Sequence, residues 1–279
     1  MGKIKRRQKI QAAREQAGRS KLNSPVQNWN GDLPEHAKHC RFPPQLIRVN
    51  ELNDVWMEIP RYVNFGWGGQ WFVMLIISIP CIGYFIMTFA AIFNFLVFLA
   101  FLICSVALGS MLLYFYKSLL FEPRGAPVRF NRKRQKVYVY EFQKSIWPWK
   151  RWHPVIKVFD WKDIHGEWVM MRGHADWGHR IYCAVCKPGT LEVVDRFILT
   201  WTVGGIDEAG RLWSFCRHYM EKMPVPTAPV YRDKPRDWTP FKTVRWPEEV
   251  DRESTTAPEA EQTGNDPSRD TGMTAHGKN

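Results

Sequence analysis

The feature that most constrains the fold is a long segment without charge. Between Arg61 and Lys117 the chain contains no Asp, Glu, Lys or Arg for 55 residues, and the side chains from Trp71 to Tyr116 are almost all apolar or small. A charge at the centre of a bilayer costs about 2.5–3.5 kcal/mol on insertion scales, so such a run is typical of a membrane segment. As a single helix, residues 71–116 would be about 69 Å long, more than twice the roughly 30 Å hydrocarbon core. The sequence therefore predicts two membrane-spanning helices.

The apolar part of the run, residues 71–116, divides near its middle at Asn94, which carries the only side-chain amide in that part. We predict spans over residues 71–91 and 95–116, joined by a tight connection. A re-entrant hairpin that dips into the membrane without crossing it fits the same residues, whereas a soluble core seldom contains so long an uncharged run. Small and polar positions allow helices to pack closely in lipid, either within the hairpin or against another protein. These positions are Gly83, Ser105, Gly109 and Ser110.

The charges that flank the run predict its orientation. Residues 1–70 carry 12 Lys and Arg against 6 Asp and Glu, residues 117–160 carry 11 against 3, and the connection carries none. Because positive charge is retained on the cytoplasmic side, both termini are predicted to lie in the cytoplasm. Much of the net charge of +12 therefore flanks the membrane, where each basic residue favours anionic lipid by about 1 kcal/mol. No nucleic-acid-binding motif accompanies it, so we predict lipid headgroups and not nucleic acid as the target of this charge.

Past the apolar run, the pattern changes to short strands followed by one helix. Strand-like segments alternate with turns, of which Lys187–Thr190 (KPGT) is the clearest, and an apolar stripe predicts a helix over residues 207–221. The fold class is therefore an α+β membrane protein, in which residues 122–226 form a cytoplasmic antiparallel β roll or barrel closed by a C-terminal helix. Residues 1–50 are predicted to be a basic, largely irregular tail, residues 51–70 an interfacial segment, and residues 227–279 a disordered tail.

The chemistry-bearing residues do not predict an active site. Cys183 and Cys186 form a C-x-x-C motif downstream of His174 and His179, but two residues three apart in a strand point to opposite faces, away from a shared metal. Hydrolase, nucleotide-binding and metalloprotease motifs are also missing from the sequence. We therefore expect a non-enzymatic protein with no metal or cofactor.

Two groups of residues are candidate contact surfaces. One is the basic connection between the first two predicted strands after the membrane run. The other is a loop that alternates Trp with Pro and cations, as suits the headgroup layer, a protein interface, or packing at the sheet edge. The candidates for contact with lipid or a partner are Arg129, Arg132, Lys133, Arg134, Lys136, Trp147, Trp149, Lys150, Arg151 and Trp152.

Several segments resemble an uncharacterised family of bacterial membrane proteins with a two-helix hairpin and a cytoplasmic domain. The resemblance covers residues 50–226 and rests on PVRFNRKRQKVY at 127–138, FDWKD at 159–163 and LWSFCRHYMEKMPVP at 212–226. The soluble part also resembles pleckstrin-homology-like domains. These resemblances imply the inner membrane of a bacterium. They also imply proximity to type VI secretion loci, and hence an accessory role in secretion or immunity against a membrane-acting toxin.

Three functional hypotheses follow. The first is a non-enzymatic inner-membrane protein whose β domain binds a protein partner or lipid headgroups. The second is an immunity protein whose hairpin engages a membrane-inserting toxin. The third is a membrane-bound enzyme whose catalytic residues no motif reveals.

Overall fold

Two long apolar helices dominate the first half of the structure, a computed structural model that describes residues 20–62, 67–123, 125–173, 177–230 and 244–258. Helix α1 is Trp67–Ala90 and helix α2 is Phe95–Phe121. Between them, the Asn94 side chain accepts a hydrogen bond from the backbone N–H of Val97 and caps α2. Both helices are long and apolar enough to cross a membrane, and only 11% and 6% of their most apolar windows are buried. A core helix of a soluble protein would be mostly buried, so the apolar surface of this hairpin is uncovered.

Polar pairs join the two helices of the hairpin. Ser78 and Tyr116 lie 2.7 Å apart between hydroxyl oxygens, and Thr88 and Ser105 also lie 2.7 Å apart. Ser105 therefore packs the hairpin against itself, one of the two alternatives that the sequence left open. Unlike Ser105, Gly83 and Gly109 do not pack against the other helix, since a Cβ added at either would meet no described atom within 4 Å.

In the described ranges, nine strands form two antiparallel sheets. The strands are β1 Trp29–Asp32, β2 Glu51–Leu52, β3 Trp56–Pro60, β4 Pro127–Asn131, β5 Lys136–Gln143, β6 His153–Asp160, β7 Ile164–Arg172, β8 Trp177–Cys186 and β9 Val193–Val203. The five-stranded sheet has the order β2-β3-β4-β5-β6, and the four-stranded sheet has the order β1-β7-β8-β9. Helix α3, Ile206–Met220, follows β9.

Of the predicted β roll or barrel, the barrel is wrong, because the described strands form two open sheets. The chain leaves the five-stranded sheet at Asp160 and enters the other at Ile164 through a 3-10 turn, Trp161–Asp163, and β6 does not pair with β7. The fold is therefore α+β with two separate antiparallel sheets.

Residues 20–60 differ from the predicted irregular tail and interfacial segment, because they contribute to both sheets. Strand β1 pairs with β7, and β3 pairs with β4 from Trp56↔Asn131 to Pro60↔Pro127. Leu46 is fully buried in the main core. These strands have two to five residues, too few to show the alternation by which strands are recognised in a sequence. Residues 1–19 lie outside the described residues.

The main core lies between the two sheets and α3. Large side chains from all three layers meet there, among them Phe130, Phe197, Phe215 and Trp213. Cys183 belongs to this core, while Cys186 packs on the opposite face of β8 with Leu22 and Ala184. The alternation of a strand thus separates the two thiols of the C-x-x-C motif.

Gly166 provides a test of this packing, because a Cβ there would meet the Trp213 ring at 2.7–2.9 Å. Trp213 is fully buried, and its indole N–H donates to the Pro34 carbonyl at 2.7 Å, so the ring has little room to move. We expect Gly166→Ala to lower the free energy of unfolding by about 1–3 kcal/mol. Thermal unfolding in detergent measures it, with Gly109→Ala as the control that should cost nothing. Equal melting temperatures for the two variants would contradict this packing.

A last helix, α4, spans Glu248–Thr255 within the predicted disordered tail. It packs on β4, and Ser254 is its fully buried residue. Residues 231–243 and 259–279 of that tail lie outside the described residues.

Candidate interaction surfaces

The side of the five-stranded sheet that faces away from the core carries polar and aromatic side chains. Strand alternation directs Met57, Ile59, Val128 and Phe130 into the core and their neighbours outward. We define the outer face as the residues that point outward from β3, β4 and β5. They are Trp56, Glu58, Arg129, Asn131, Lys136, Tyr138 and Tyr140. Most of them are nonetheless buried, because another part of the chain covers them.

Arg129 is the centre of the outer face. Its side chain is 9% exposed and donates to Glu58 Oε2 at 2.6 Å, to Asp251 Oδ1 at 2.5 Å and to Ser254 Oγ at 2.9 Å. Its guanidinium also lies between two indoles, 4.8 Å from the ring centroid of Trp56 and 4.3 Å from that of Trp246. Cation–π contacts strengthen when they are desolvated, so this geometry fixes the cation strongly.

The covering segment comprises residues 244–258, which we call the C-terminal strap. Trp246 donates to Glu58 Oε2 at 3.1 Å and meets the Tyr140 ring edge-to-face at 5.4 Å. The remaining contacts of the strap are polar: Asn131 Nδ2 donates to the carbonyls of Ser254 and Thr256 at 3.1 and 2.9 Å. With four acidic and two basic residues, the strap has a net charge of −2 and is complementary to the cations beneath it.

The remaining basic candidates divide between the strap and the domain. Arg134 donates to the carbonyls of Thr256 and Ala257, and Lys136 donates to Glu253 at 3.1 Å. Arg132 instead lies 5.0 Å from the Tyr219 ring centroid, and the backbone N–H of Lys133 donates to Asn131 Oδ1. Contact with lipid or a partner is the predicted use of these cations. In the structure Arg129, Arg134 and Lys136 hold the strap.

The contribution of Glu253 to the docking of the strap depends on pH. Burial alone would raise the pKa of Glu253, but hydrogen bonds from Lys136 and Tyr138 lower it below its ordinary value of 4.5. Burial, together with the hydrogen bond to Glu253, raises the pKa of Tyr138. Because the pKa of the docked carboxyl is depressed, its contribution to stability is present above pH 4.5 and disappears as the pH falls through the docked value.

We therefore expect the difference in melting temperature between the wild type and Glu253→Gln to shrink as the pH falls below 4.5. Glu249→Gln is the matched control, since Glu249 is exposed on the same helix. A wild-type advantage that stays constant from pH 7 to pH 3.5 would contradict the ionic contacts of Glu253.

The Trp loop, residues 144–152, lies at the other end of β5. The basic hairpin at Asn131–Lys136 is about 23 Å away along this strand, at roughly 3.3 Å per residue. The loop is fixed to the end of α2: Lys117 Nζ donates to the carbonyls of Pro148 and Lys150 at 3.0 and 2.6 Å, and Lys144 pairs with Glu122 at 2.6 Å. The loop thus lies beside the last turns of the apolar hairpin.

The three tryptophans of this loop have two different environments. Trp152 is buried, with its ring centroid 5.2 Å from that of Tyr114 and 5.0 Å from Lys117 Nζ. Trp147 and Trp149 are 57% and 61% exposed, and the adjacent Ile146 is 90% exposed. Packing at the sheet edge therefore accounts for Trp152 alone. Lys150 and Arg151 are exposed between these indoles.

Arg61 connects the two sheets, a role that the sequence did not indicate. Its guanidinium donates to the carbonyls of Ala126, Tyr140 and Ile198 at 2.7, 2.5 and 3.0 Å. Burial lowers the pKa of Arg61 to about 10, so it remains charged at neutral pH. As the last charge before the apolar run, it looked like a flanking residue. The three partners of Arg61 are far apart in the sequence, so no local pattern of residues indicates these contacts.

Beside Arg61, a cleft of about 430 Å³ lies between the sheets and the end of α2. Its charged lining residues have partners within the protein: Glu122 pairs with Lys144, Glu141 with Lys157, and Arg196 with Glu167. Among the described residues, no group of three or more His, Cys, Asp or Glu has a geometry that would hold a metal ion. Burial raises the pKa of Cys183 well above its ordinary value, which keeps this thiol protonated. His174 lies outside the described residues.

Residues 105–241 match the model of a family of unknown function, DUF6708. The matched range begins inside α2, includes β4 to β9 and α3, and ends before the strap. Neither a curated protein nor a solved structure matches the chain. The soluble domain is therefore similar to an uncharacterised family, and the comparisons supply no activity.

Proposed function

We propose that this chain is a non-enzymatic integral protein of a bacterial inner membrane whose β domain is a docking platform on the cytoplasmic surface. The two apolar helices cross the bilayer as a hairpin, both termini are cytoplasmic, and the Trp loop rests in the headgroup layer. The observation that carries this proposal is the contact of Lys117 with the loop. It holds the exposed Trp147 and Trp149 beside the end of a helix long enough to span a membrane.

The physical argument rests on where exposed indoles are stable. Indoles favour the headgroup layer because their apolar rings and their N–H groups are both accommodated there. Lys150 and Arg151 add two cations that attract anionic lipid at about 1 kcal/mol each. Together with the short connection to α2, these contacts orient the domain, with the outer face and the strap that covers it directed toward the cytoplasm.

Depth measurement tests this arrangement. A fluorophore is attached to cysteine in Trp149→Cys and, as the control, in Asp54→Cys, with Cys40, Cys81 and Cys104 replaced by Ser. Asp54 is fully exposed at the opposite end of the sheet. We expect lipids brominated near the headgroups to quench the label at position 149 strongly and the label at position 54 hardly at all. Equal quenching at the two positions would refute the contact of the loop with lipid.

Immunity against a membrane-acting toxin is the second candidate function. The observation in its favour is that Gly83 and Gly109 do not pack within the hairpin, which leaves two small-residue positions where another helix can approach. Co-expression with candidate toxins encoded nearby tests it. Protection that Gly83→Leu and Gly109→Leu abolish would support this function, and lack of protection against every neighbour would exclude it. An accessory role in type VI secretion is the corresponding proposal for the docking platform.

A further inference from the structure

The strap occupies the outer face through few and mostly polar contacts. Its aromatic contacts are those of Trp246, with the Tyr140 ring and the Arg129 guanidinium, and one residue of α4 is fully buried, Ser254. The others join charged or polar groups: Asp251 with Arg129, and Glu253 with Lys136 and Tyr138. The strap is therefore held mainly by complementarity of charge, and salt weakens the half-exposed pair of Lys136 and Glu253 more than the contacts of the buried Arg129.

Removal of the strap would not expose the core of the domain. The apolar residues of β3, β4 and β5 face the opposite side of the sheet and belong to the core. Besides the Tyr140 ring, the strap covers polar groups that water can solvate, above all Arg129 and Glu58, which remain paired with each other at 2.6 Å. An unpaired buried charge would make release costly, and none is left here. The outer face can therefore exchange its occupant without unfolding.

The family match covers the part of the outer face that belongs to β4 and β5. Residues 129–140 of the outer face lie inside the matched range of 105–241, whereas Trp56 and Glu58 of β3 and the strap lie outside it. The cations that hold the strap, Arg129, Arg134 and Lys136, are thus all within the matched range.

We propose that the outer face is a docking surface for an acidic helical segment of a partner protein, and that the strap is its intramolecular occupant. The partner segment has the chemistry of the strap: an indole that stacks on Arg129, followed by a short helix whose carboxylates meet Arg129 and Lys136. The proposal rests on the docking platform of the proposed function and names the class of partner. Because the strap is part of the same chain, its binding to the outer face is intramolecular and has a high effective concentration, which keeps the surface closed to weak competitors.

A labelled peptide of residues 244–258 tests the proposal. Its binding to the purified full chain in detergent is measured by fluorescence anisotropy at low salt. The wild type is compared with a released variant, W246A/D251N/E253Q. We expect the peptide to bind the released variant at least ten-fold more tightly than the wild type, and Arg129→Met in the released variant to abolish binding. Two substituted peptides test the individual contacts. The D251N/E253Q peptide should bind the released variant at least ten-fold more weakly than the unsubstituted peptide does, and the E248Q/E249Q peptide less than three-fold more weakly.

Two further measurements keep the test decisive. Thermal unfolding of the released variant should remain cooperative and within a few degrees of the wild type. A large loss of stability without peptide binding would make the strap a structural support and overturn the proposal, as would equal binding to wild type and released variant. If the wild type forms dimers and the released variant does not, the outer face binds a second copy of this chain. That result would overturn the proposal of a partner protein. Since the assay is performed in detergent, its failure leaves the loop-depth measurement unaffected.

Discussion

Replacement of Arg61 by Met is expected to cause the largest loss of stability in this protein. The substitution leaves the carbonyls of Ala126, Tyr140 and Ile198 without the donor that now serves all three. A buried acceptor that loses its partner costs about 1–3 kcal/mol, so a loss of about 4 kcal/mol is expected for the group. In a domain of this size that corresponds to a fall of roughly 8–16 °C in melting temperature.

The conservative variant Arg61→Lys separates the charge from the geometry. An ammonium retains the charge but lacks the fork that reaches three acceptors in different directions, so an intermediate loss is expected. Tryptophan fluorescence during thermal unfolding in detergent measures both variants. A melting temperature for Arg61→Met within two degrees of the wild type would show that Arg61 does not join the sheets.

The second large effect is expected at Glu167, whose carboxylate is fully buried. One oxygen accepts from the backbone N–H of Val26 at 3.0 Å and the other from Arg196 Nε at 3.0 Å. Arg196 also donates to the carbonyl of Ser24, so these contacts hold the N-terminal segment to the four-stranded sheet. Removal of one partner from a buried ion pair costs about 3–5 kcal/mol. For Glu167→Ala we expect about 3 kcal/mol, because Arg196 is a quarter exposed and regains water.

Proteolysis gives this prediction a local signature. Without Glu167 the segment around Val26 loses its attachment, and trypsin should cleave after Lys21 at least ten-fold faster than in the wild type. Glu192→Gln is the control, since Glu192 makes an exposed pair with Lys187 in the β8–β9 turn. If cleavage after Lys21 is equally fast in Glu167→Ala and wild type, Glu167 does not hold the segment.

Local patterns in the sequence predicted the parts of the fold that depend on local physics. The uncharged run and its single amide led to two helices joined at Asn94, where the amide caps α2. The Pro-Gly turn at residues 187–190 joins β8 to β9, and Gly189 adopts the positive φ of 72° that such a turn favours. In these cases the signal and the structure lie within a few residues of each other.

Contacts between distant residues were not predictable in this way. Arg129 meets Asp251 across 122 positions, and Arg61 meets Ile198 across 137. In the sequence, Arg129 is one of several cations in a basic stretch, and the strap contains eight helical residues inside a polar tail. A charge pattern indicates that a surface needs a partner, but it does not show that the chain supplies that partner itself. The structure gives Arg129, Arg134 and Lys136 partners within the chain, and contact of the Trp loop with lipid or a partner stays a prediction.

We propose that the hairpin crosses the membrane and leaves the β domain on the cytoplasmic side. Labelling of Asn94→Cys and Asp54→Cys in intact bacterial cells with a membrane-impermeant maleimide tests this topology, in the background without Cys40, Cys81 and Cys104. The neighbouring Phe93 is 98% exposed at the tip of the hairpin, so a cysteine at position 94 is accessible. We expect position 94 to react in intact cells and position 54 to react only after permeabilisation. Reaction of position 94 only after permeabilisation would show a re-entrant hairpin and contradict the spanning topology.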